Sequence, residues 1–158
     1  MADLNITKID LDKIKAYPNN PKTHDKKQVA KIVNSIKEFG FTNPILLDEN
    51  LEIIAGHGRV LAAKEVGMQQ VPAIILSHLN ENQRRAYRIA DNKLTELGKW
   101  DLELLNIEFT NLSGLDLDFD LEITGFETTE IDLIIGGSTT ESNPQEDASP
   151  VLSELDHI

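Results

Sequence analysis

The spacing of apolar residues changes several times along the first hundred positions, and each change marks an element. From Asn5 to Leu11, the residues Ile6, Ile9 and Leu11 alternate imperfectly with polar neighbours, the pattern of a weak strand. Tyr17-Pro18-Asn19-Asn20-Pro21 then requires an extended or turning path, because residues before proline avoid the helical region. After Asp25, Val29, Ile32, Val33, Ile36 and Phe39 recur at intervals of three and four, which predicts one helix with an apolar face. Asp25 with Gln28 offers a capping box at its start, and Gly40 a stop at its end. Pro44 to Leu47 and Glu52 to Ala55 are short apolar runs on either side of Asp48-Glu49-Asn50, as in a hairpin. Gly56-His57-Gly58 ends the second run, Arg59 to Val66 reads as a short helix closed by Gly67, and Val71 to Leu76 as a buried strand. The expected order is βαββαβ.

Asn80 and Gln83 form a second capping-box pattern, opening a helix to Leu97 in which Ala86, Ile89, Ala90, Leu94 and Leu97 are expected to face inward. Gln83, Arg84, Arg85 and Arg88 put three cations on about one turn, which could contact phosphate or nucleic acid but reads first as a solvated basic face. Asp101 to Leu112 and Thr128 to Ile135 suggest two further helices joined by the acidic stretch Asp116 to Glu122, whereas 136–150 has almost nothing apolar to bury. Residues 1–98 therefore read as one α/β domain, 99–135 as an acidic, partly helical extension, and 136–158 as a disordered tail. No window approaches the roughly 18 apolar residues of a membrane helix, and MADLNITKID lacks a basic stretch followed by an apolar core. A cytoplasmic protein that makes no membrane contact is expected.

Charge sharpens this division. The 158 residues carry 15 basic and 27 acidic side chains, net -12, yet every Lys and Arg precedes Asp101. Residues 1–100 hold 15 basic against 12 acidic groups, while 101–158 hold 15 acidic and no basic ones. A near-neutral domain carries an acidic appendage. The chain contains no cysteine, which excludes disulfides, thiolate metal sites and cysteine nucleophiles.

Ile53-Ile54-Ala55-Gly56-His57-Gly58-Arg59 carries the clearest candidate chemistry. Here a strand enters a helix through two glycines, with an arginine in the first turn. Glycines let backbone N–H groups approach an anion, a helix N-terminus favours negative charge, and a guanidinium binds phosphate oxygens in pairs. The same string also suits a plain tight turn with Arg59 and His57 on the surface. Gly40-Phe41-Thr42-Asn43 closes the preceding helix and could line the same pocket, or simply cap that helix; Lys22 lies in the loop before it. Asp91-Asn92-Lys93 interrupts a helix with two poor helix formers. A carboxylate beside an amide could hold magnesium together with phosphate oxygens, or cap a break in the helix. His24, His78 and His157 show neither metal-ligand spacing nor a nucleophile pattern, and there is no Walker loop or G-x-S-x-G motif, so no catalytic residue is assigned.

In order, these strings resemble the ParB/sulfiredoxin superfamily, specifically the N-terminal domain of ParB-like proteins, over about residues 4–97. Asn20-Pro21-Lys22 looks like that family's N-P-R segment, Ser35-Ile36-Lys37-Glu38-Phe39-Gly40-Phe41-Thr42-Asn43-Pro44-Ile45 is similar to its S-I-x-x-x-G-x-x-x-P-I motif, and Gly56-His57-Gly58-Arg59 stands where G-E-R-R is usual. Glu81-Asn82-Gln83-Arg84 resembles the E-N-x-Q-R motif by eye, but the distance from the preceding strand places that motif at Asp91-Asn92. The resemblance implies a small mixed sheet flanked by helices that binds a nucleoside triphosphate, CTP or ATP, with magnesium. Phosphate contacts would fall to Lys22, Gly40, Phe41, Thr42, Asn43, Gly56, His57, Gly58, Arg59 and Asn92, and the metal to Asp91 and Asn92.

Cysteine-based sulfiredoxin chemistry cannot occur in this chain. The wording around Ile53 to Lys64 and Arg85 to Leu94 further resembles a mobile-element subgroup found beside, or fused to, DNA methyltransferases; no D-P-P-Y motif is present. The implied role is a nucleotide-dependent switch or accessory module in DNA modification or maintenance, with DNA, a methyltransferase or a second copy as partner. A metal-dependent nuclease and an adaptor with a vestigial pocket are the alternatives.

Overall fold

The computed structural model describes residues 3–137, which form two units divided between Lys99 and Trp100. The expected tail at 136–158 lies almost wholly outside the described residues. In the first unit the elements run β1 (Ile6–Asp10), a 3-10 turn (Leu11–Lys13), α1 (Lys26–Phe39), β2 (Ile45–Leu47), β3 (Ile53–Ala55), α2 (His57–Val66), β4 (Gln70–Ile75) and α3 (Glu81–Glu96). This is the βαββαβ order followed by a long helix.

The strands make one mixed sheet in the order β1-β4-β2-β3. Antiparallel pairing sets Ile6 opposite Ile74, parallel pairing sets Ile45 beside Ala73, and β2 and β3 form an antiparallel hairpin with a register shift between Leu46 and Leu47. At the hairpin tip the buried Asp48 carboxylate accepts hydrogen bonds from the backbone N–H groups of Asn50 and Glu52 at 2.8 and 2.9 Å. A side chain thereby satisfies donors that a tight turn would leave unpaired. Ile45, Leu47, Ile53, Val71 and Ala73 of the sheet pack with Val60 and Ala63 of α2 and with Leu11 and Ile14, forming the core. Apart from Leu47, its fully buried members are β-branched or small, as suits short strands covered by a helix.

The expectations for α2 and α3 need correction. α2 starts at His57, earlier than Arg59, because Gly56 takes a left-handed conformation (φ 108°) and serves as its N-cap. α3 opens with the expected Asn80/Gln83 capping box, but its inward face is polar. Ile89, Leu94 and Leu97 are exposed, whereas Arg88 is 3% exposed. Arg88 lies 3.5 Å over the Tyr17 ring and donates from Nε to the Ile53 carbonyl at 3.1 Å, beside Glu52. Arg84 donates to the Leu79 carbonyl at 2.8 Å and faces Asp48. Cations read as solvated thus hold α3 against the edge strand β3, where free backbone acceptors make arginine a better partner than leucine.

The second unit contains α4 (Leu102–Ser113), a 3-10 turn (Leu121–Thr124) and α5 (Thr128–Gly136), close to the expected helices. Asp101 caps α4 through the Leu104 N–H. Its core is small: buried Phe109, Ile131 and Ile134, with Phe126 set edge-on to both Phe109 and Trp100. No helix among the described residues is long and apolar enough to cross a membrane.

Candidate functional site

A cleft of about 470 Å³ opens in the first unit between the β3–α2 turn, the Asn20–Gln28 segment and α3. It falls within the range of roughly 300–1,000 Å³ usual for small-molecule sites. Of the residues singled out from the sequence, Lys22, Asn43, Gly56, His57, Gly58, Arg59, Asp91 and Asn92 line it. Gly40, Phe41 and Thr42 do not: Gly40 ends α1 with φ 87°, Phe41 packs against the core, and Thr42 is exposed.

Gly56 fixes the floor. A Cβ there would lie 2.6 Å from Ile45 Cγ2 and 3.0 Å from the Arg59 guanidinium, so glycine is needed both for its backbone angle and for the space. Arg59 folds back over this turn and donates from Nη2 to the Pro44 carbonyl at 3.1 Å, while its buried Nε has no protein partner. Burial lowers the Arg59 pKa below its ordinary value, and the Asp91 carboxylate opposes that shift. An arginine so placed stays charged and has donor capacity to spare.

His57 is a different group. Its Nε2 accepts the Tyr17 N–H at 3.3 Å, and its pKa is lowered from 6.5 to about 4, first by burial and then by the charges of His24 and Arg88. It is neutral at pH 7 and ties the Tyr17 segment to the start of α2.

Across the cleft, α3 presents Asp91 and Asn92 on its inward side. Asn92 donates from Nδ2 to the Arg88 carbonyl at 2.8 Å, leaving its Oδ1 for a ligand, and Thr95 bonds back to the Asp91 carbonyl. Lys22 reaches Glu96 at 3.1 Å, and Asn20 braces that loop by bonding both the Lys22 carbonyl and its N–H. Among the described residues no cluster of three or more His, Asp and Glu side chains forms a complete metal cage. Asp91 with Asn92 suits instead a hard cation whose coordination is completed by ligand oxygens and water. The cleft thus combines cations, a helix N-terminus and a carboxylate–amide pair, an arrangement for a polyanion carrying its own metal ion.

Sequence reasoning passed over His24, Gln28, Thr95 and Glu96, all of which line the cleft. Gln28 was read only as part of a helix cap, and the other three belong to no motif in the sequence. Only the return of α3 against the sheet brings them together.

Comparison with known proteins adds to this geometry. The ParB N-terminal domain family model matches residues 2–93. The chain belongs to that family. A second model, the ParB-methyltransferase HTH domain, matches residues 103–156, which take in most of the segment read above as an acidic extension (99–135) and most of the expected tail (136–158). A curated relative, the ParB-like nuclease domain-containing protein YnaK of Escherichia coli K12, is 52% identical over 75 residues, covering 48% of this chain and 86% of YnaK. The probable chromosome-partitioning protein ParB of Campylobacter jejuni is 33% identical over 90 residues, 54% of this chain, but the match spans only 32% of that protein. Among solved structures, the C-terminally truncated chromosome-partitioning protein ParB from Caulobacter crescentus, complexed with CTP-gamma-S, superposes with TM-score 0.67 at 16% identity, covering 92% of this chain and 96% of that one. At that identity the likeness is one of fold. The ParB-type mixed sheet flanked by helices is established.

Proposed function

We propose that this ParB-family chain binds a nucleoside triphosphate, CTP or ATP, with Mg2+ in the cleft of the first unit. The observation that carries this reading is the β3–α2 turn, where Gly56 clears the floor and Arg59 keeps an unpartnered, buried Nε in a cleft that Asp91 also lines. The N–H groups at the start of α2, Arg59 and Lys22 would receive phosphate oxygens, and Asp91 and Asn92 would hold the magnesium that those oxygens share. When bound, magnesium neutralises phosphate charge; the chain's own residues orient the polyanion and shield it from water. Lys22 would exchange Glu96 for phosphate. The domain then acts in the cytoplasm, with a second copy, DNA or a DNA methyltransferase as partner, as a switch or accessory module in DNA modification or maintenance.

The name of YnaK gives a reason to consider a nuclease, but metal-dependent strand cleavage draws on several carboxylates around the metal, and the cleft supplies Asp91 with only Glu96 beyond it. If instead the pocket were vestigial and the chain an adaptor, nucleotide would leave its stability unchanged. Thermal unfolding of the full chain in CTP, ATP or GTP, with magnesium or EDTA, tests the reading. A ligand that binds only the native state raises the melting temperature. A magnesium-dependent rise is expected; no rise with any of the three overturns it.

A further inference from the structure

We propose that His24 is a further ligand-contacting residue of this cleft, presenting Nε2 to the phosphate chain over the first turn of α2. The inference rests on the nucleotide reading above. A Cβ built on Gly58 would lie 3.0 Å from His24 Nδ1 and 3.2 Å from its Cε1, so the imidazole occupies the space a side chain at position 58 would take. Gly58 and His24 are a matched pair: the helix gives up a side chain in its first turn, and a ring from the loop before α1 takes its place.

The ring is also held. His24 Nδ1 lies 2.7 Å from Gln28 Oε1, an oxygen that can only accept, so Nδ1 carries the proton and Nε2 is left for a ligand. Gln28 is spared for this because the expected Asp25/Gln28 capping box is only half formed: Asp25 accepts the Gln28 N–H at 2.7 Å, but the Gln28 side chain turns to His24. The charged and titratable groups sharing the cleft with His24 are His57 and Arg59 from α2, Lys22 from its own loop, and Asp91 and Glu96 from α3. Because His57 Nε2 is occupied by the Tyr17 N–H, His24 is the histidine able to donate to an oxyanion there, as the doubly protonated cation.

Calorimetric titration of the full chain with CTP and with ATP, in magnesium, tests this. His24→Gln should bind about tenfold more weakly, the loss of one charge-assisted hydrogen bond; the exposed His78→Gln should bind as the wild type does. His24→Ala/Gly58→Arg, in which a guanidinium enters the vacated space, should regain affinity relative to His24→Gln. Wild-type affinity in His24→Gln would make His24 a packing residue and overturn the inference. Absence of binding by the wild type itself would instead remove the nucleotide reading, and this inference with it.

Discussion

The two units use their charged residues in opposite ways. In the first, at 3–99, cations work inside the fold: Arg88 stacks on Tyr17 and bonds to β3, Arg84 faces Asp48, and Arg59 holds the Pro44 carbonyl. In the second, at 100–137, there is no Lys or Arg at all, and acids hold the helix ends, as Asp101 and the Glu127/Glu130 box do. The near balance of charge in residues 1–100 therefore overstates the positive surface available to a polyanion. The segment matching an HTH model has no cation with which to displace counterions from DNA, the main source of non-specific affinity.

The sharpest way to break this comparison is through the cores. Ile45→Ala, at a position with no solvent exposure, should cost about 2–5 kcal/mol, and Phe109→Ala about 3–5 kcal/mol. Hydrogen exchange should show the first loss in the sheet and the second in α4 and α5. Costs below about 1 kcal/mol would mean that these cores are not as packed as described.

The next effect separates two arginines on one turn. Arg88→Ala should destabilise by about 2–4 kcal/mol, since it removes a ring stack and exposes an unpaired buried carbonyl, whereas the exposed Arg85→Ala should stay within about 0.5 kcal/mol. Equal costs in chemical denaturation would show that α3 carries a plain basic face after all.

His57 gives a smaller, pH-dependent effect. Its folded pKa of about 4 lies below the ordinary 6.5, so between those values the unfolded state binds more protons. The contribution is fully present above pH 6.5 and is lost as pH falls toward 4. The wild-type stability profile, minus that of His57→Gln, should slope upward across that window; a flat difference would contradict a buried neutral imidazole. Smallest of all, Asp101→Ala should cost about 1 kcal/mol through loss of the α4 cap, read as a lower melting temperature of the second unit.

Much of the fold was legible because local signals agreed with global ones. The period change at Asp25, the stop at Gly40, the Asp48 hairpin and the Asn80/Gln83 box each gave the element that forms. The inward face of α3 was not legible, because apolar periodicity assumes an apolar surface to cover. The edge of β3 offers the Ile53 carbonyl and Glu52 instead, and Arg88 answers those acceptors. In the cleft, the Gly56–Arg59 turn was readable because its parts are contiguous. His24 and Glu96 were not, since they meet that turn only after α1 and α3 have packed. The loop at Gly40–Asn43 stands between these cases, with Asn43 in the cleft and Phe41 drawn to the core.

The central claim is that Arg59 and the start of α2 hold a triphosphate. Isothermal titration of the full chain with CTP and ATP in magnesium tests it most directly, alongside Arg59→Ala checked for native circular dichroism. The account predicts saturable binding of at least one of the two at one site per chain, weakened tenfold or more by the substitution. No binding of either nucleotide, or equal affinity in the variant, would contradict it.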